Sequence, residues 1–296
     1  MESFFTFLEK RVDDCSSLLC IGLDPHVNDL RTDGQPPIPT AEAARDFCFN
    51  LVKQTSRYAA AFKPNAAFFE VFGAEGWTAL KQVIEAIQEE SKRQGSLIPV
   101  ILDAKRGDIA STAEAYAKSA FENLGVDCIT LSPYLGKDSI EPFIQNSEKG
   151  VFLLCKTSNP GADDLQDVLV LDEEREKTKE DDLFPLSSFI PLHIKVAQLA
   201  QQWNTLNNIG LVVGATYPET LARVREVAPG MWFLAPGVGA QGGELESALK
   251  AGLRKDGKGM LINVSRSIAR VEKPGLAAAE LRDEILGIRS SIVGNR

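Results

Sequence analysis

The sequence predicts an α/β fold, a (β/α)8 TIM barrel that forms a single domain over residues 1–296. Short segments rich in Val, Ile, Leu and Phe recur along the chain, and stretches with helical periodicity separate them. Strands that are apolar on both faces and alternate with such helices are typical of a parallel sheet covered by helices. Eight of these units in about 250 residues, with the rest as insertions, fit a closed barrel better than an open doubly wound sheet.

Eight segments have the length and composition of buried strands. They are predicted at Leu18 to Leu23, Tyr58 to Lys63, Ile98 to Asp103, Asp127 to Leu131, Val151 to Cys155, Ile209 to Val213, Met231 to Ala235 and Met260 to Asn263. Before the first strand, the spacing of Phe4, Phe5, Leu8 and Val12 predicts an amphipathic helix over about residues 1–15.

Two of the intervening helices are predicted from apolar stripes with a period near 3.6 residues. The first stripe consists of Ala113, Ala117, Ala120, Phe121 and Leu124, followed by Gly125. The second consists of Leu192, Val196, Leu199, Ala200, Trp203 and Leu206. Ser111 and Glu114 have the spacing of a capping box, which predicts a helix that begins with Ser111 as its N-cap.

Composition and charge restrict the class of partner. A formal net charge of −9 argues against nucleic acids and anionic membranes, because both attract basic surfaces, so we expect a small-molecule partner. The sequence contains neither a run of about 18 apolar residues nor a secretory signal, so no membrane span is expected. Five scattered cysteines without a C-x-x-C pair predict reduced, buried thiols and a cytoplasmic protein.

One segment departs from the rest in composition. Residues 163–182 contain ten acidic and three basic residues and so carry seven of the nine net negative charges. Without this segment the chain would be nearly neutral. We expect a solvated insertion after the fifth strand that takes no part in chemistry, which is the usual role of a charge run.

Charged residues stand where several predicted strands end. Asp103 and Lys105 lie at the end of the third strand, Lys63 ends the second, and Asp24 follows the first. The active site of a barrel lies at the carboxyl ends of its strands, so these four groups should converge on one rim. A surface salt-bridge cluster is the alternative, but exposed ion pairs contribute only about 0–1 kcal/mol each. Convergence from three strand ends therefore favours a catalytic site.

Seven sequence blocks, which span about Leu18 to Ile268, carry a resemblance to a known family. In order, they are IGLDPH, FKPNAAFFE, LDAKRGDI, SPYLG, TSNPG, APGVGAQGG and NVSRSI. The D-x-K-x-x-D pattern in LDAKRGDI is only moderately specific alone, whereas seven blocks in this order are a strong signal. Together they resemble the orotidine 5'-phosphate decarboxylase family, in its longer-chain bacterial subfamily.

The resemblance implies decarboxylation of orotidine 5'-monophosphate to uridine 5'-monophosphate in pyrimidine biosynthesis, without a metal or an organic cofactor. It implies an alternating charged array of Lys63, Asp103, Lys105 and Asp108, in which Lys105 stabilises the carbanion at C6 of the pyrimidine and then protonates it. It also implies a homodimer in which Asp108 and Thr112 are contributed across the interface. An ordinary place in the first turn of a helix is the alternative for Thr112.

The same resemblance assigns substrate contacts to other residues. Asp24 and Lys63 match ribose contacts, and Ser158 matches a serine at the pyrimidine edge, although serines in such turns often cap backbone groups. Arg266 matches a phosphate-binding arginine, which could donate a bidentate pair to the phosphate oxygens. Gln241 matches a glutamine of the phosphate loop, and Pro236 matches a residue that lines the site.

The glycines of GVGAQG, residues 237–242, allow two interpretations. Gly237, Gly239 and Gly242 satisfy the dinucleotide pattern G-x-G-x-x-G, and Arg266 could then contact a 2'-phosphate. However, the pattern follows the seventh predicted strand rather than the first. Loops after strands seven and eight of barrels commonly bind phosphate, so a phosphate-binding loop that includes Gly237 and Gly239 is favoured.

Two rival functions remain at this stage. A sugar-phosphate enzyme of the same superfamily, such as hexulose-phosphate synthase, resembles the D-x-K-x-x-D block but binds magnesium through an acid that ends the second strand. In this chain Lys63 stands there, and its charge would repel a cation. A non-catalytic phosphate-binding barrel would need Arg266 and the glycines but not Lys105. His26 and His193, the two histidines, are not expected to be catalytic.

Overall fold

A parallel barrel forms the centre of the computed structural model, which describes residues 2–30, 39–172, 188–237 and 242–294. Its eight strands are β1 Leu19–Leu23, β2 Ala61–Pro64, β3 Ile101–Arg106, β4 Cys128–Leu131, β5 Gly150–Lys156, β8 Ile209–Val213, β9 Phe233–Pro236 and β10 Met260–Val264. Two further strands, β6 Leu169–Leu171 and β7 Phe189–Pro191, pair antiparallel outside the barrel.

The barrel strands neighbour one another in chain order, and each pair is parallel. Bridges from Phe62 to Val100 and from Asn65 to Asp103 connect β2 to β3 and complete the circle. This arrangement confirms the predicted (β/α)8 class. Because all eight strands run in one direction, their carboxyl ends, and the charged residues there, lie at the same end of the barrel.

Helices connect the strands and cover their outer faces, as expected for a buried parallel sheet. The described helices are α1 Phe4–Cys15, α2 Ala41–Thr55, α3 Ala67–Glu70, α4 Gly73–Gln94, α5 Ala110–Lys118, α6 Glu141–Ile144, α7 Asp163–Gln166, α8 Leu192–Trp203, α9 Pro218–Val227, α10 Gly242–Gly252, α11 Arg266–Ala269 and α12 Pro274–Gly294. In these ranges no helix combines the length and apolar character needed to cross a membrane.

The strand predictions agree with the structure in number and order, and the largest differences occur in two strands. The second strand begins at Ala61 instead of Tyr58, because the amide of Tyr58 donates to Thr55 O in the turn that ends α2. The third strand begins at Ile101 and continues to Arg106 instead of ending at Asp103. Lys105 therefore lies within a strand and not in the loop after it.

The predicted N-terminal helix is present as α1, and the first apolar stripe is confirmed. Ala113, Ala117, Ala120 and Leu124 are buried, and Gly125 ends this helical region with a left-handed φ of 76°. The capping box is wrong, because α5 begins at Ala110 with Ile109 as its N-cap, so Ser111 is already inside the first turn.

The helix predicted from the second stripe is present as α8, and three residues of that stripe face the core: Ala200 is buried, while Val196 and Trp203 are partly buried against it. The most buried residues of α8 also include His193, Ile194 and Ala197, which the stripe did not contain. Leu206 lies beyond the end of the helix and is 43% exposed. The helix packs against barrel strands and also against the β6–β7 pair, so the apolar residues on its flanks are covered from a second direction.

The acidic insertion begins as regular structure, which corrects the expectation that it is only a solvated charge run. Asp163 and Asp167 each accept a hydrogen bond of 2.8 Å from Lys156 Nζ, at the end of β5. The Lys156 side chain is only 4% exposed. Residues 163–172 thus contain α7 and β6 and are joined to the end of β5 through Asp163 and Asp167, while residues 173–182 lie outside the described part of the chain.

Aromatic side chains close the amino end of the barrel. The Phe5 ring of α1 lies 5.5 Å from the Phe152 ring, edge to face, and stacks on Trp232 at 6.2 Å. Gly210 permits this packing, because a Cβ there would lie 2.6 Å from Phe152 Cε1 and 2.8 Å from Phe5 Cζ. The barrel interior is therefore filled below the charged rim.

We expect Gly210→Ala to lower the free energy of unfolding by about 1–3 kcal/mol, since overpacking forces buried rings from their positions. Gly287→Ala is the control, because a Cβ at Gly287 in α12 has no atom within 4 Å. That change should be neutral or stabilise the helix by up to about 1 kcal/mol. Urea unfolding of both variants measures the difference, and equal stability of the two would contradict tight packing around Gly210.

Candidate active site

A cavity of about 260 Å³ opens at the carboxyl ends of the barrel strands. It is lined by Lys63, Asp103, Lys105, Thr130, Leu154, Thr157, Ser158, Asn159, Val212, Leu234, Pro236 and Asn263. Five residues named from the sequence are thus brought together here, namely Lys63, Asp103, Lys105, Ser158 and Pro236. The remaining lining consists of apolar Leu154, Val212 and Leu234 from β5, β8 and β9, and of polar Thr130, Thr157, Asn159 and Asn263. The charged lining residues come only from β2 and β3, so charge is concentrated on one side of the cavity.

The Asp103 carboxylate joins two lysines. Lys63 Nζ donates to Asp103 Oδ2 at 2.6 Å, and Lys105 Nζ donates to Asp103 Oδ1 at 2.5 Å. The Lys63 and Asp103 side chains are 6% and 11% exposed, whereas the Lys105 side chain is 51% exposed. Lys105 therefore presents its ammonium group toward an incoming ligand, while Lys63 and Asp103 form a fixed pair behind it.

The pKa values of this pair depend on the balance between burial and charge. Burial acts to raise the pKa of Asp103, but the ammonium groups of Lys63 and Lys105 outweigh it and lower the pKa to about 2. Burial acts to lower the pKa of Lys63, but the negative charges of Asp103 and Asp24 outweigh it and raise the pKa. Asp103 and Lys63 are consequently both charged at neutral pH.

A bulge in β3 sets the position of Lys105. Leu102 pairs with Ile129 and Arg106 pairs with Leu131, so β3 uses two more residues than β4 over this stretch. The amides of Ala104 and Lys105 donate to Thr130 Oγ1 at 3.1 and 3.0 Å, and not to a β4 carbonyl. Lys105 has a left-handed φ of 47°, which is unfavourable for a residue with a Cβ.

Thr130 and Asn263 belong to the site but were missed by the sequence analysis. Each is a polar residue within an otherwise apolar barrel strand, and that contrast is the only signal that could have identified them. Among the described residues, Asn263 Oδ1 and Asp24 Oδ1 are buried without a hydrogen-bond partner. Because unpaired buried acceptors are costly, these two oxygens are suited to accept from a bound ligand.

The residues expected to bind phosphate lie after the last two barrel strands. Gly237 directly follows β9 with a φ of 87°, and Arg266 begins α11 directly after Ser265, the residue that follows β10. Parallel pairing of Asn263 with Pro236 places the starts of these two loops side by side. Gly239 and Gln241 lie outside the described residues.

Asp108 and Thr112 do not join the cavity within this chain. Asp108 Oδ1 accepts from the amide of Ile109 at 2.8 Å, and among the described residues it makes no ion pair with Lys63 or Lys105. Thr112 is exposed in the first turn of α5. Asp108 is partly exposed and Thr112 is exposed, and neither lines the cavity.

The two histidines lie outside the cavity lining. The His26 ring packs edge to face on Phe68 at 4.3 Å. His193 is buried in α8, its Nδ1 lies 2.9 Å from Gln166 O, and burial lowers its pKa. In the described ranges no group of three or more His, Cys, Asp or Glu residues is arranged to hold a metal ion.

Comparison with known proteins gives the family. The pattern of the orotidine 5'-phosphate decarboxylase / HUMPS family matches residues 17–281. The chain belongs to this family. The orotidine 5'-phosphate decarboxylase of Roseiflexus castenholzii is 43% identical over 98% of this chain and 97% of that protein. The enzyme of the same name from Thermomicrobium roseum is 44% identical over 99% of this chain and 98% of that protein.

Solved structures of the family have the same fold. The Leishmania donovani OMP decarboxylase is 50% identical, with a TM-score of 0.79, and the match covers 97% of this chain and 98% of that chain. A Toxoplasma gondii structure described as a putative orotidine-monophosphate-decarboxylase is 39% identical, with a TM-score of 0.86, over 99% and 98% of the two chains.

We expect Asp103→Asn to alter how stability depends on pH. Ionised Asp103 stabilises the fold above its unfolded pKa of about 4, and this contribution is lost as pH falls toward its folded value of about 2. At neutral pH the variant leaves Lys63 buried without its anion and should be less stable by about 3–5 kcal/mol. Urea unfolding from pH 7 to pH 2 should show this difference shrinking below pH 4.

Asp46→Asn is the control for that series, because the Asp46 side chain is 64% exposed. Its stability difference from the wild type should be small throughout. A difference between Asp103→Asn and the wild type that stays constant from pH 4 to pH 2 would contradict the lowered pKa of Asp103.

Proposed function

We propose that this protein decarboxylates orotidine 5'-monophosphate to uridine 5'-monophosphate in pyrimidine biosynthesis, without a cofactor. The observation that carries the proposal is the Asp103 carboxylate, which bridges Lys63 and Lys105 on one wall of a cavity that also contains Ser158 and Pro236. The similar proteins of Roseiflexus castenholzii and Thermomicrobium roseum are named orotidine 5'-phosphate decarboxylases, which supports the same reaction.

Residues that line the cavity and residues outside its lining orient the substrate together. Asp24 and Lys63 bind ribose hydroxyls, and the buried unpaired Oδ1 atom of Asp24 supports this role because a hydroxyl donor would satisfy it. Ser158, exposed at the cavity wall, contacts the pyrimidine edge. Arg266 binds the phosphate together with the loop that contains Gly237, Gly239 and Gln241, and Pro236 packs beside that loop.

Lys105 performs the chemistry. The C6–carboxylate bond breaks, CO2 leaves, and the electron pair stays on C6, where the adjacent ammonium of Lys105 stabilises it by charge. That pair then takes a proton from Lys105 Nζ to form the C6–H bond, and solvent returns a proton to the lysine. Asp103 faces the substrate carboxylate and, with Lys63, holds the ammonium in place.

The site is completed by a second copy of the chain. Asp108 of one subunit reaches the array of the other, and Thr112 makes a second contact across the interface. In support, Asp108 lies outside the array of its own chain, and the nearby apolar side chains of Ile109, Tyr134 and Leu135 are 50%, 76% and 48% exposed. Association would bury these side chains.

Five free cysteines, of which four are buried, support a cytoplasmic location.

The proposed reaction is tested by incubating the protein with orotidine 5'-monophosphate and excess chelator. Turnover is monitored as the change in ultraviolet absorbance of the pyrimidine. We expect wild-type turnover to survive the chelator, and Lys105→Ala to lower kcat by at least about a hundredfold, because the charge that stabilises the carbanion is gone. Uridine 5'-monophosphate should still bind the variant. Lys250→Ala, on the surface of α10, is the control.

Loss of wild-type turnover with the chelator would indicate a metal-dependent family reaction instead. Binding of the nucleotide without any turnover would support a phosphate-binding barrel. A Lys105→Ala variant with a nearly normal rate would contradict the role given to Lys105.

Mixing two inactive variants tests the shared site. Asp108→Ala chains and Lys105→Ala chains should each be inactive alone, and a mixed dimer has one site with both residues intact. After exchange of subunits, we expect up to about half of the wild-type activity per mixed dimer, from one restored site of two. If subunit exchange is verified by mass spectrometry and no activity returns, Asp108 is not shared across the interface.

A further inference from the structure

The hydroxyl of Thr130 uses all of its hydrogen-bonding capacity within the charged wall of the cavity. It accepts from the amides of Ala104 and Lys105 at 3.1 and 3.0 Å, and it donates to Asp103 Oδ1 at 3.1 Å. A hydroxyl has one hydrogen and two lone pairs, so these three bonds satisfy it. Thr130 therefore lines the cavity but has no hydrogen-bonding group left for a ligand.

These bonds substitute for part of the sheet. At the bulge in β3, the amides of Ala104 and Lys105 find no carbonyl on β4, and buried backbone donors need a partner. The side chain of Thr130, in β4 and opposite the bulge, supplies that partner. It thereby permits the left-handed backbone at Lys105, which sterics alone would disfavour.

The same oxygen also couples the backbone to the carboxylate. Asp103 Oδ1 accepts from Thr130 Oγ1 and from Lys105 Nζ, while Asp103 Oδ2 accepts from Lys63 Nζ. The hydroxyl thus fixes both ends of the Lys105 residue, its amide directly and its ammonium through Asp103.

We propose that Thr130 is a positioning residue for the reaction, whose hydroxyl holds the Lys105 ammonium and the Asp103 carboxylate in their reactive arrangement. This inference rests on the proposed function, because it acts through Lys105. A displacement of about 1 Å of a reacting group can cost about a hundredfold in rate. The inference predicts a loss in kcat without an equal loss in binding, because Thr130 itself donates nothing to the nucleotide.

Thr130→Val and Thr130→Ser separate the hydroxyl from the shape of the side chain. Valine keeps the shape but removes the hydroxyl, and serine keeps the hydroxyl. We expect Thr130→Val to lower kcat for orotidine 5'-monophosphate by about 10- to 100-fold, with the Kd for uridine 5'-monophosphate within about threefold of the wild type. Thr130→Ser should recover kcat to within about threefold.

Thr55→Val provides a matched control. Thr55 is also fully buried and its hydroxyl donates to Leu51 O at 2.7 Å, but it lies in α2, away from the cavity. This variant should keep both kcat and nucleotide affinity, even if its melting temperature falls as much as that of Thr130→Val. A loss of kcat by Thr55→Val equal to that of Thr130→Val would show a general effect of stability and overturn the proposal.

Other results would also overturn it. A kcat of Thr130→Val within threefold of the wild type, or equal losses of kcat and nucleotide affinity, excludes a positioning role. If Thr130→Val does not fold, Thr130→Ser still decides, since a tenfold loss of kcat in that variant contradicts the importance of the hydroxyl. Absence of turnover by the wild type would overturn the proposed function, and this inference with it. Normal wild-type turnover with an unaffected Thr130→Val variant overturns the positioning role alone.

Discussion

The Asp103 carboxylate, shared between two lysine ammonium groups, is the interaction on which the rest of the site depends. The Lys63 side chain is 6% exposed, and a buried ammonium without a counter-ion would be neutralised or would destabilise the fold by several kcal/mol. Asp103 therefore has to be ionised and fixed. The cost of burying this pair is offset only if both carboxylate oxygens are fully hydrogen-bonded, and here lysines and Thr130 satisfy them.

The barrel supplies the rigidity that this arrangement needs. Lys63, Asp103 and Thr130 come from three consecutive strands, so their separation is set by the spacing of the sheet and not by a loop. Below them, Phe152 packs against Phe5 of α1, which closes the far end of the barrel. Lys105, at the bulge of β3, departs from regular strand geometry with its left-handed φ, and its exposed ammonium extends into the cavity.

The sequence could predict the barrel and the charged wall because the signals for both are local. Each strand is a continuous apolar run, and Lys63, Asp103 and Lys105 stand where such runs end. The position of Thr130 opposite Lys105 could not be predicted, since it depends on how two strands pair after β3 gains two residues. The capping box at Ser111 failed for a similar reason. The chain already turns into the helix at Ile109, whose amide donates to Asp108.

Composition alone could not predict the role of the acidic segment. A net charge does not distinguish carboxylates that pair with a buried lysine from carboxylates that only contact water. The first carboxylates of that segment, Asp163 and Asp167, are 67% and 43% exposed, yet both accept hydrogen bonds from the buried ammonium of Lys156 and neutralise it. Gln166 from the same stretch accepts from the amide of Thr157 and donates to its hydroxyl. Since Thr157 and Ser158 line the cavity, this start of the insertion holds one wall of the site. Lys63 and Lys156 thus follow one physical rule. Each is a buried lysine at the end of a barrel strand, and carboxylates of a neighbouring segment neutralise its ammonium group.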